Sequence, residues 1–187
     1  MRIFPILLSL MLSFAVLANN APQTKDDIAI NKTYDLFSEA FDKLNAALIG
    51  EAYTESACYI PERHDKEIIR GRDAIVSVYE KFFGKIRSKN ARIEVDFRVI
   101  DRSRAGDSVT DVGYYLIRFH PASDTGEPVS EYAGKFVTVS RKQADGNWLL
   151  SIDSSNRSEP RFYYQTQPVG ELYFGQRFIS PDVAKKP

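Results

Sequence analysis

The chain is poor in the side chains that form disulfides or hold transition metals. Its 187 residues include one cysteine, Cys58, and two histidines, His64 and His120. One cysteine excludes an internal disulfide, and a zinc site would have to take its remaining ligands from carboxylates. We therefore expect no metal and no cofactor. Cys58 lies in an apolar segment, where a small buried thiol is the ordinary role.

An excess of either charge is also missing. The sequence contains 25 Lys and Arg residues and 25 Asp and Glu residues, which are mixed along its length, so its formal net charge is zero. Nucleic acids and anionic membranes attract strongly basic surfaces. The composition therefore gives no reason to expect nucleic acid as a partner or, once any leader is removed, a membrane.

Long hydrophobic runs are absent except at the N-terminus. There, Arg2 precedes a largely apolar run over residues 3–17, and Val-Leu-Ala at its end is the small-residue pattern of a signal-peptide cleavage site. The run is shorter than the roughly 20 apolar residues that a membrane-spanning helix needs. We predict that residues 1–18 are a signal peptide and residues 19–25 a linker, and that the mature protein is periplasmic or secreted.

Helical periodicity marks two segments. Thr24 and Asp27 have the spacing of a capping box, and apolar residues follow at steps of three or four, which places them on one helical face. Asn45 is suited to cap a second, short helix that runs to Tyr53. The same apolar spacing predicts a helix over residues 73–87. The first apolar face consists of Ile30, Tyr34, Phe37, Phe41, Leu44 and Leu48.

Beyond Asn90 the apolar residues alternate with polar ones, as they do in strands. Four long strands follow, separated by turn sequences at residues 105–107, 121–128 and 145–146. Helices first and antiparallel strands afterwards predict an α+β domain over residues 26–157, with the helices on one face of the sheet.

The C-terminal segment, residues 158–187, is rich in aromatic side chains. A segment of this composition is poorly described as disordered. We therefore expect a C-terminal extension that packs on the domain or on a partner subunit. Its aromatic residues are Phe162, Tyr163, Tyr164, Tyr173, Phe174 and Phe178.

Several short motifs follow one another within residues 26–157. They are "AFDKLNAALIGEAYTESACYIPE", "RGRDAIVSVYEKFF", Gly113-Tyr114-Tyr115, Gly134-Lys135-Phe136, Asp145-Gly146-x-Trp148 and Asp153-x-x-Asn156. Their order and approximate spacing resemble the SnoaL-like, ketosteroid isomerase-like superfamily, which has the nuclear transport factor 2-like fold. Within it they resemble a bacterial family whose function is unknown.

The resemblance implies a cone: a strongly curved antiparallel sheet wrapped around the N-terminal helices, in the cystatin-like arrangement. A cavity at one end of the cone would bind or transform a small, largely apolar molecule. The base of the isomerase branch falls near Glu62, its first-helix tyrosine falls near Phe37 with Tyr34 a turn earlier, and its later acidic donor falls near Gly134. These mismatches argue against steroid isomerase chemistry and leave other pocket chemistry open. We also expect a homodimer.

The last strand ends in Asp-Ser-Ser-Asn, although it starts with an apolar run. Strand alternation predicts Trp148, Leu150 and Ile152 on one face and Asp153 on the other. Asp153 and Asn156 either line the cavity or bond to turn backbone. The ligand-binding candidates are Tyr34, Phe37, Tyr115, Tyr132, Trp148, Asp153 and Asn156, and the weaker candidates for an acid or base are Asp153, Glu62 and His120.

Taken together, the patterns predict an exported pocket protein that binds a small, largely apolar molecule. A proton-transfer enzyme of the isomerase, cyclase or dehydratase type would need, in addition, a pocket carboxylate or histidine with a tuned pKa and donors opposite it. A non-catalytic dimerisation or assembly domain would instead have its cavity filled by side chains and a large apolar sheet face. The sequence leaves these three interpretations open.

The predicted signal peptide can be tested directly. Protein recovered from the native host outside the cytoplasm should begin at Asn19 or within a few residues of it, because the apolar run ends in a signal-peptidase pattern at Ala18. N-terminal sequencing checks this expectation, and an intact Met1 would contradict it.

Overall fold

The computed structural model describes residues 23–63 and 65–179. The predicted signal peptide, most of the predicted linker, His64 and the end of the C-terminal extension lie outside these residues. The elements within them are α1 (Lys25–Lys43), α2 (Ala46–Ala52), β1 (Tyr53–Ile60), β2 (Ile69–Arg70), α3 (Arg72–Arg87), β3 (Arg92–Ala105), β4 (Ser108–His120), β5 (Ser130–Lys142), β6 (Trp148–Ser158) and α4 (Pro160–Gln165).

Local sequence starts and ends the first two helices. The Thr24 hydroxyl accepts a hydrogen bond from the Asp27 amide, and the Asp27 carboxylate accepts one from the Thr24 amide, which completes the predicted capping box. Leu44 ends α1 in a left-handed conformation with φ 50°. The Asn45 side chain then caps α2, as predicted, by accepting from the Ala47 amide. Among the described residues, no helix is both long and apolar enough to cross a membrane.

The strands pair in the order β2-β1-β6-β5-β4-β3. β1 and β6 are parallel, and the other neighbours are antiparallel. Helices α1, α2 and α3 cover one face, called the inner face, where an aromatic-rich core joins them to the sheet. The curved, unclosed sheet with helices against its inner face confirms the predicted α+β fold class.

A β-bulge at Ser151 reverses the faces of the sheet to which the later side chains of β6 point. Opposite Leu150 and Ile152, β5 presents two consecutive residues, so Ser151 is left without a partner in the ladder. An extra residue reverses the alternation of faces beyond it. Leu150 therefore lies in the inner core, Ile152 is 41% exposed and Asp153 is buried. The prediction that Trp148, Leu150 and Ile152 share one face was wrong, because simple alternation does not allow for a bulge.

The C-terminal extension packs on the opposite, outer face of the same domain. Tyr163 of α4 and Phe178, both nearly without exposure, lie against Leu116 and Ala133 of the central strands. Residues 173–175 run beside the edge strand β3 and form backbone hydrogen bonds with it. The extension thus buries part of the outer face and protects part of an open sheet edge.

Two side chains of β3 anchor the extension. The Arg98 guanidinium donates to the backbone carbonyls of Tyr163 and Gly175, at 2.8 and 3.2 Å. The Asp96 carboxylate accepts from the Tyr163 hydroxyl at 2.9 Å and from the Arg177 amide at 2.8 Å. Asp96 and Arg98 are both buried, and buried charged groups require such partners. The extension is therefore part of the domain's own hydrogen-bonded structure.

Replacement of Gly175 by alanine tests this anchor. A Cβ there would lie 1.8 Å from Oδ1 of Asp96, so the extension or the carboxylate would have to move. We expect the free energy of unfolding in urea to fall by about 1–3 kcal/mol. Gly84→Ala is the matched control, because its Cβ would meet only the end of Arg87, at 3.9 Å, and alanine favours a helix. An unchanged midpoint for Gly175→Ala would show that the extension is not held in this way.

Candidate functional site

Five tyrosines from four elements converge on the inner face of the sheet. They are Tyr53 and Tyr59 of β1, Tyr79 of α3, Tyr115 of β4 and Tyr132 of β5, called here the tyrosine cluster. The ring centroids of Tyr59 and Tyr79 are 6.1 Å apart, and those of Tyr115 and Tyr132 are 6.3 Å apart. Tyr53 and Tyr115 are buried, whereas the other three are half-buried. The fold thus gathers several hydroxyl donors and ring faces in one region.

Asp153 of β6 places a carboxylate beside this cluster. Its Oδ2 accepts a short hydrogen bond, 2.5 Å, from the Tyr53 hydroxyl. Within the described residues its Oδ1 has no hydrogen-bond partner, and it is not one of the enclosed unpaired atoms, so the small exposure of the residue, 8%, includes this oxygen. Burial disfavours the charged form and raises the pKa of Asp153 to about 6, against the opposing effect of the Tyr53 hydrogen bond. Asp153 is therefore a buried carboxylate that exchanges its proton close to neutral pH.

The hydroxyls nearest to Asp153 stay protonated. Burial, and then the charge of Asp153, raise the pKa of Tyr53 well above its usual value. The same two causes raise the pKa of Tyr59. Burial also raises the pKa of Tyr79, followed by the effects of Tyr59 and Asp153. All three tyrosines are consequently neutral hydrogen-bond donors across the physiological pH range.

Glu62 and Arg157 form a rim where the tyrosine cluster meets solvent. Oε2 of Glu62 accepts from the Tyr115 hydroxyl at 3.3 Å, and its Oε1 lies 3.5 Å from Nε of Arg157. The Arg157 guanidinium carbon is 5.2 Å from the centre of the Tyr132 ring. Burial, followed by the hydrogen bond with Glu62, raises the pKa of Tyr132 to about 12. The Arg157 side chain is 74% exposed, so the rim faces water.

The structure brings four of the predicted site residues together, namely Asp153, Glu62, Tyr115 and Tyr132. A fifth, Phe37, packs on the cluster from the side of α1. Its ring centroid lies 5.9 Å from that of Tyr53 and 6.1 Å from that of Tyr79. Phe37 is thus placed to support the tyrosines by packing.

Tyr34 and Trp148, two further ligand-binding candidates, belong to other parts of the core. The Tyr34 hydroxyl donates to Asp111 at 2.7 Å, and Arg102 donates to both oxygens of that carboxylate. Trp148 lies in a separate small cluster and donates from its indole nitrogen to Asp26 at 3.1 Å. Both side chains have polar partners that the fold itself provides.

Asn156 and His120, the remaining candidates, also lie outside the tyrosine cluster. Asn156 is exposed on the outer face, where β6 pairs with Lys135 of β5. His120 contacts Glu94, with Nε2 and Oε2 2.5 Å apart, beside a surface hollow of about 400 Å³. A second hollow, of about 530 Å³, lies between α1 and the C-terminal extension. Neither hollow reaches the tyrosine cluster.

Sequence reasoning missed Tyr53, Tyr59 and Tyr79. Tyr53 and Tyr59 are six residues apart in one strand, so alternation places them on the same face, and that spacing is a usable signal. Tyr79 belongs to the apolar stripe of α3, and nothing in such a stripe separates a site residue from a core residue. Only the tertiary fold brings the three tyrosines beside Asp153.

The cluster combines one proton acceptor with several fixed donors. Asp153 can accept a hydrogen bond or a proton at Oδ1, and the neighbouring hydroxyls can donate to a polar group held between them. Across residues 23–63 and 65–179, no group of three or more His, Cys, Asp and Glu side chains is placed to hold a metal ion. The side chains of the cluster are capable of hydrogen bonding and of proton exchange.

Known proteins resemble this chain in fold rather than in sequence. No family model and no curated protein matches it. ActVI-ORFA from Streptomyces coelicolor is similar in structure, with 19% identity and a TM-score of 0.61 over 72% of this chain and 98% of that chain. A ketosteroid isomerase-like protein from Erwinia carotovora atroseptica has 13% identity and a TM-score of 0.57, over 73% of this chain and 99% of that one.

A third solved structure carries the name of the fold. It is an ntf2-like protein with a cystatin-like fold from Novosphingobium aromaticivorans, with 13% identity and a TM-score of 0.57 over 76% of this chain and 90% of that chain. Identities this low show a shared fold and leave activity open. The chain has the cystatin-like fold of the ketosteroid isomerase-like, SnoaL-like and nuclear transport factor 2-like proteins, as its motifs predict.

Proposed function

We propose that the protein binds a small, largely apolar molecule at the tyrosine cluster, where Asp153 is the hydrogen-bond partner of the ligand's polar group. The observation that carries this proposal is Oδ1 of Asp153, an oxygen of a buried carboxylate that has no partner within the described residues. Among the described residues, the side-chain atoms that are both enclosed and unpaired are Thr54 Oγ1 and Thr138 Oγ1, so the unpaired Oδ1 of Asp153 is open to solvent and to a ligand. A ligand donor would complete the pair.

The free-energy cost of Asp153 also supports a functional role. Its carboxyl has a pKa of about 6 in the fold against 3.8 ordinarily, so the charged form destabilises the folded state at neutral pH. A side chain that serves only stability would not carry this cost. Residues that lower stability are typical of sites retained for binding or catalysis.

Entry of a ligand requires movement of side chains, because aromatic rings fill the inner face. Tyr59, Tyr79 and Tyr132 are half-buried, and rotamer changes of this kind are common when proteins bind partners. Their rings would then line the ligand with mostly apolar surface, which accounts for a largely apolar molecule. The occurrence of the fold in a ketosteroid isomerase-like protein supports a ligand of this class.

Proton transfer within the bound ligand is the second candidate function. A general base works best when its pKa is near the working pH, and the pKa of Asp153 is about 6. The Tyr59 hydroxyl, protonated at this pH, would donate to an oxygen that gains charge. Turnover of a bound ligand, lost in Asp153→Asn, would separate this function from simple binding.

The predicted homodimer stays a prediction. On the part of the outer face that the C-terminal extension leaves open, Val137 and Ile152 are 43% and 41% exposed. These side chains are the surface that a second copy would cover, and a dimer formed there would leave the tyrosine cluster on the opposite face of the sheet.

Asp153→Asn should change the dependence of stability on pH. The folded-state pKa, about 6, lies above the ordinary 3.8, so protonation stabilises the wild type as pH falls through this window and ionisation destabilises it as pH rises. Asparagine stays neutral. Between pH 4 and pH 8 the free energy of unfolding in urea should shift by about 1–3 kcal/mol in favour of the variant. A difference that stays constant with pH would refute the raised pKa.

Ligand-observed NMR with a library of small aromatic compounds tests binding itself. The wild type should give hits that Asp153→Asn loses, because the variant offers an amide in place of the acceptor carboxylate. Asp124→Asn is the matched control, since Asp124 lies exposed in the loop between β4 and β5, away from the cluster. The proposal fails if the wild type binds none of the compounds, or if Asp153→Asn retains every hit.

A further inference from the structure

We infer that the polar group received by Asp153 is a cation, so that the ligand is a small amine, or a similar cation, carried on an aromatic or otherwise apolar body. This inference rests on the proposed function, because it concerns the same site. It narrows the ligand from any largely apolar molecule to one with a single positively charged end.

The first support is the absence of a cation beside Asp153. No ion pair within the described residues includes this carboxylate. Tyr53 donates to it, Tyr59 lies opposite it in the β1–β6 ladder, and the ring of Tyr79 packs on that of Tyr59. None of these side chains carries a positive charge. Arg157, at the rim, is engaged with Glu62 and Tyr132 instead. A buried carboxylate normally has a cationic partner, and here a ligand would supply it.

The second support is the set of aromatic rings around the carboxylate. The faces of tyrosine rings attract cations, and groups of such rings recognise ammonium ligands. Tyr59 and Tyr79 stand in contact with each other close to Asp153. At the rim, Arg157 lies over the ring of Tyr132, so one ring of the cluster already has a positive charge on its face. Rings and carboxylate together favour an ammonium group.

Asp153 would bind a neutral polar group less tightly than it would bind a cation. Ionised Asp153 is an acceptor only, and the Tyr53 hydroxyl is committed to its Oδ2. A ketone or aldehyde could therefore bond to Asp153 only when Asp153 is protonated, and would otherwise accept from Tyr59 or Tyr79 and leave the carboxylate unpaired. An alcohol could donate to Oδ1 but would leave the buried charge without compensation. A bond from the alcohol to the carboxylate is already charge-assisted, so the advantage of the ammonium group is the opposite charge that it places beside the buried carboxylate.

The two ligand classes predict opposite pH dependences. The pKa of Asp153 is about 6, so an amine should bind more weakly as pH falls below this value and the carboxylate is lost. A carbonyl compound should bind more tightly over the same range. The hydroxyls of Tyr53, Tyr59 and Tyr79 stay neutral throughout. Glu62 is the other acidic group at the cluster. It lies 3.5 Å from Arg157, and Arg157 stays positively charged over this pH range.

Three probes with one apolar body test the inference: 2-naphthylmethylamine, 2-naphthylmethanol and 2-naphthaldehyde, titrated calorimetrically into the purified protein. At pH 7.5 the amine should bind at least about tenfold more tightly than the alcohol or the aldehyde, because it alone places an opposite charge beside the carboxylate. At pH 5 this preference should shrink. Asp153→Asn should remove it, whereas the loop variant Asp124→Asn should keep it.

Two variants of Tyr59 test the contribution of its ring to the amine's affinity independently of the carboxylate. Tyr59→Phe keeps a ring face and should retain most of the amine's affinity, whereas Tyr59→Leu should lower it several-fold, because the cation–π contact is lost. Urea midpoints of both variants confirm that they fold. Equal losses for Tyr59→Phe and Tyr59→Leu would contradict the role of the ring.

The possible outcomes distinguish the inference from the proposed function. If the alcohol or the aldehyde binds as tightly as the amine at pH 7.5, and Asp153→Asn weakens all three, the inference is wrong and the proposed function stands. If none of the three probes binds, the inference is wrong, and the NMR library screen decides whether the proposed function stands. A preference for the amine that survives in Asp153→Asn would place its binding elsewhere and would also overturn the inference.

Discussion

The arrangement of the inner face depends on one unpaired residue in the last strand. Because Ser151 forms a bulge, Leu150 and Asp153 both face the helices, whereas regular alternation would place them on opposite faces. β6 lies between β1 and β5, so the local bend at the bulge affects both neighbouring strands. Without it, Ile152 would point into the core and Asp153 into the outer face. The candidate site exists because the ladder is irregular at this point.

Buried carboxylates in this fold are of two kinds. Asp111 accepts hydrogen bonds from Nε and Nη2 of Arg102 and from the Tyr34 hydroxyl. Asp96 accepts hydrogen bonds from the C-terminal extension. Their bonds join distant parts of the chain, as expected of structural groups. Asp153 has a single partner in the described residues and no counter-charge. The difference in hydrogen bonding, more than burial itself, separates a candidate binding group from a structural one.

Both faces of the sheet are covered, and by different parts of the chain. The N-terminal helices cover the inner face, and the extension covers part of the outer face through Tyr163 and Phe178. This division explains why the strands carry apolar residues on both sides, since each side packs against something. It also leaves the inner face to the tyrosine cluster, while Val137 and Ile152 on the remaining part of the outer face are exposed.

Sequence alone determined the features that depend on neighbours in the chain. The capping box of Thr24 and Asp27, the cap at Asn45 and the change from helical to strand periodicity act over a few residues, and the order of motifs indicated the fold. The tertiary structure decided the site. Tyr53 and Asp153 are 100 residues apart in the chain, and a bulge arises from the pairing of two strands rather than from one. The surroundings and the raised pKa of Asp153 therefore follow only from the folded molecule.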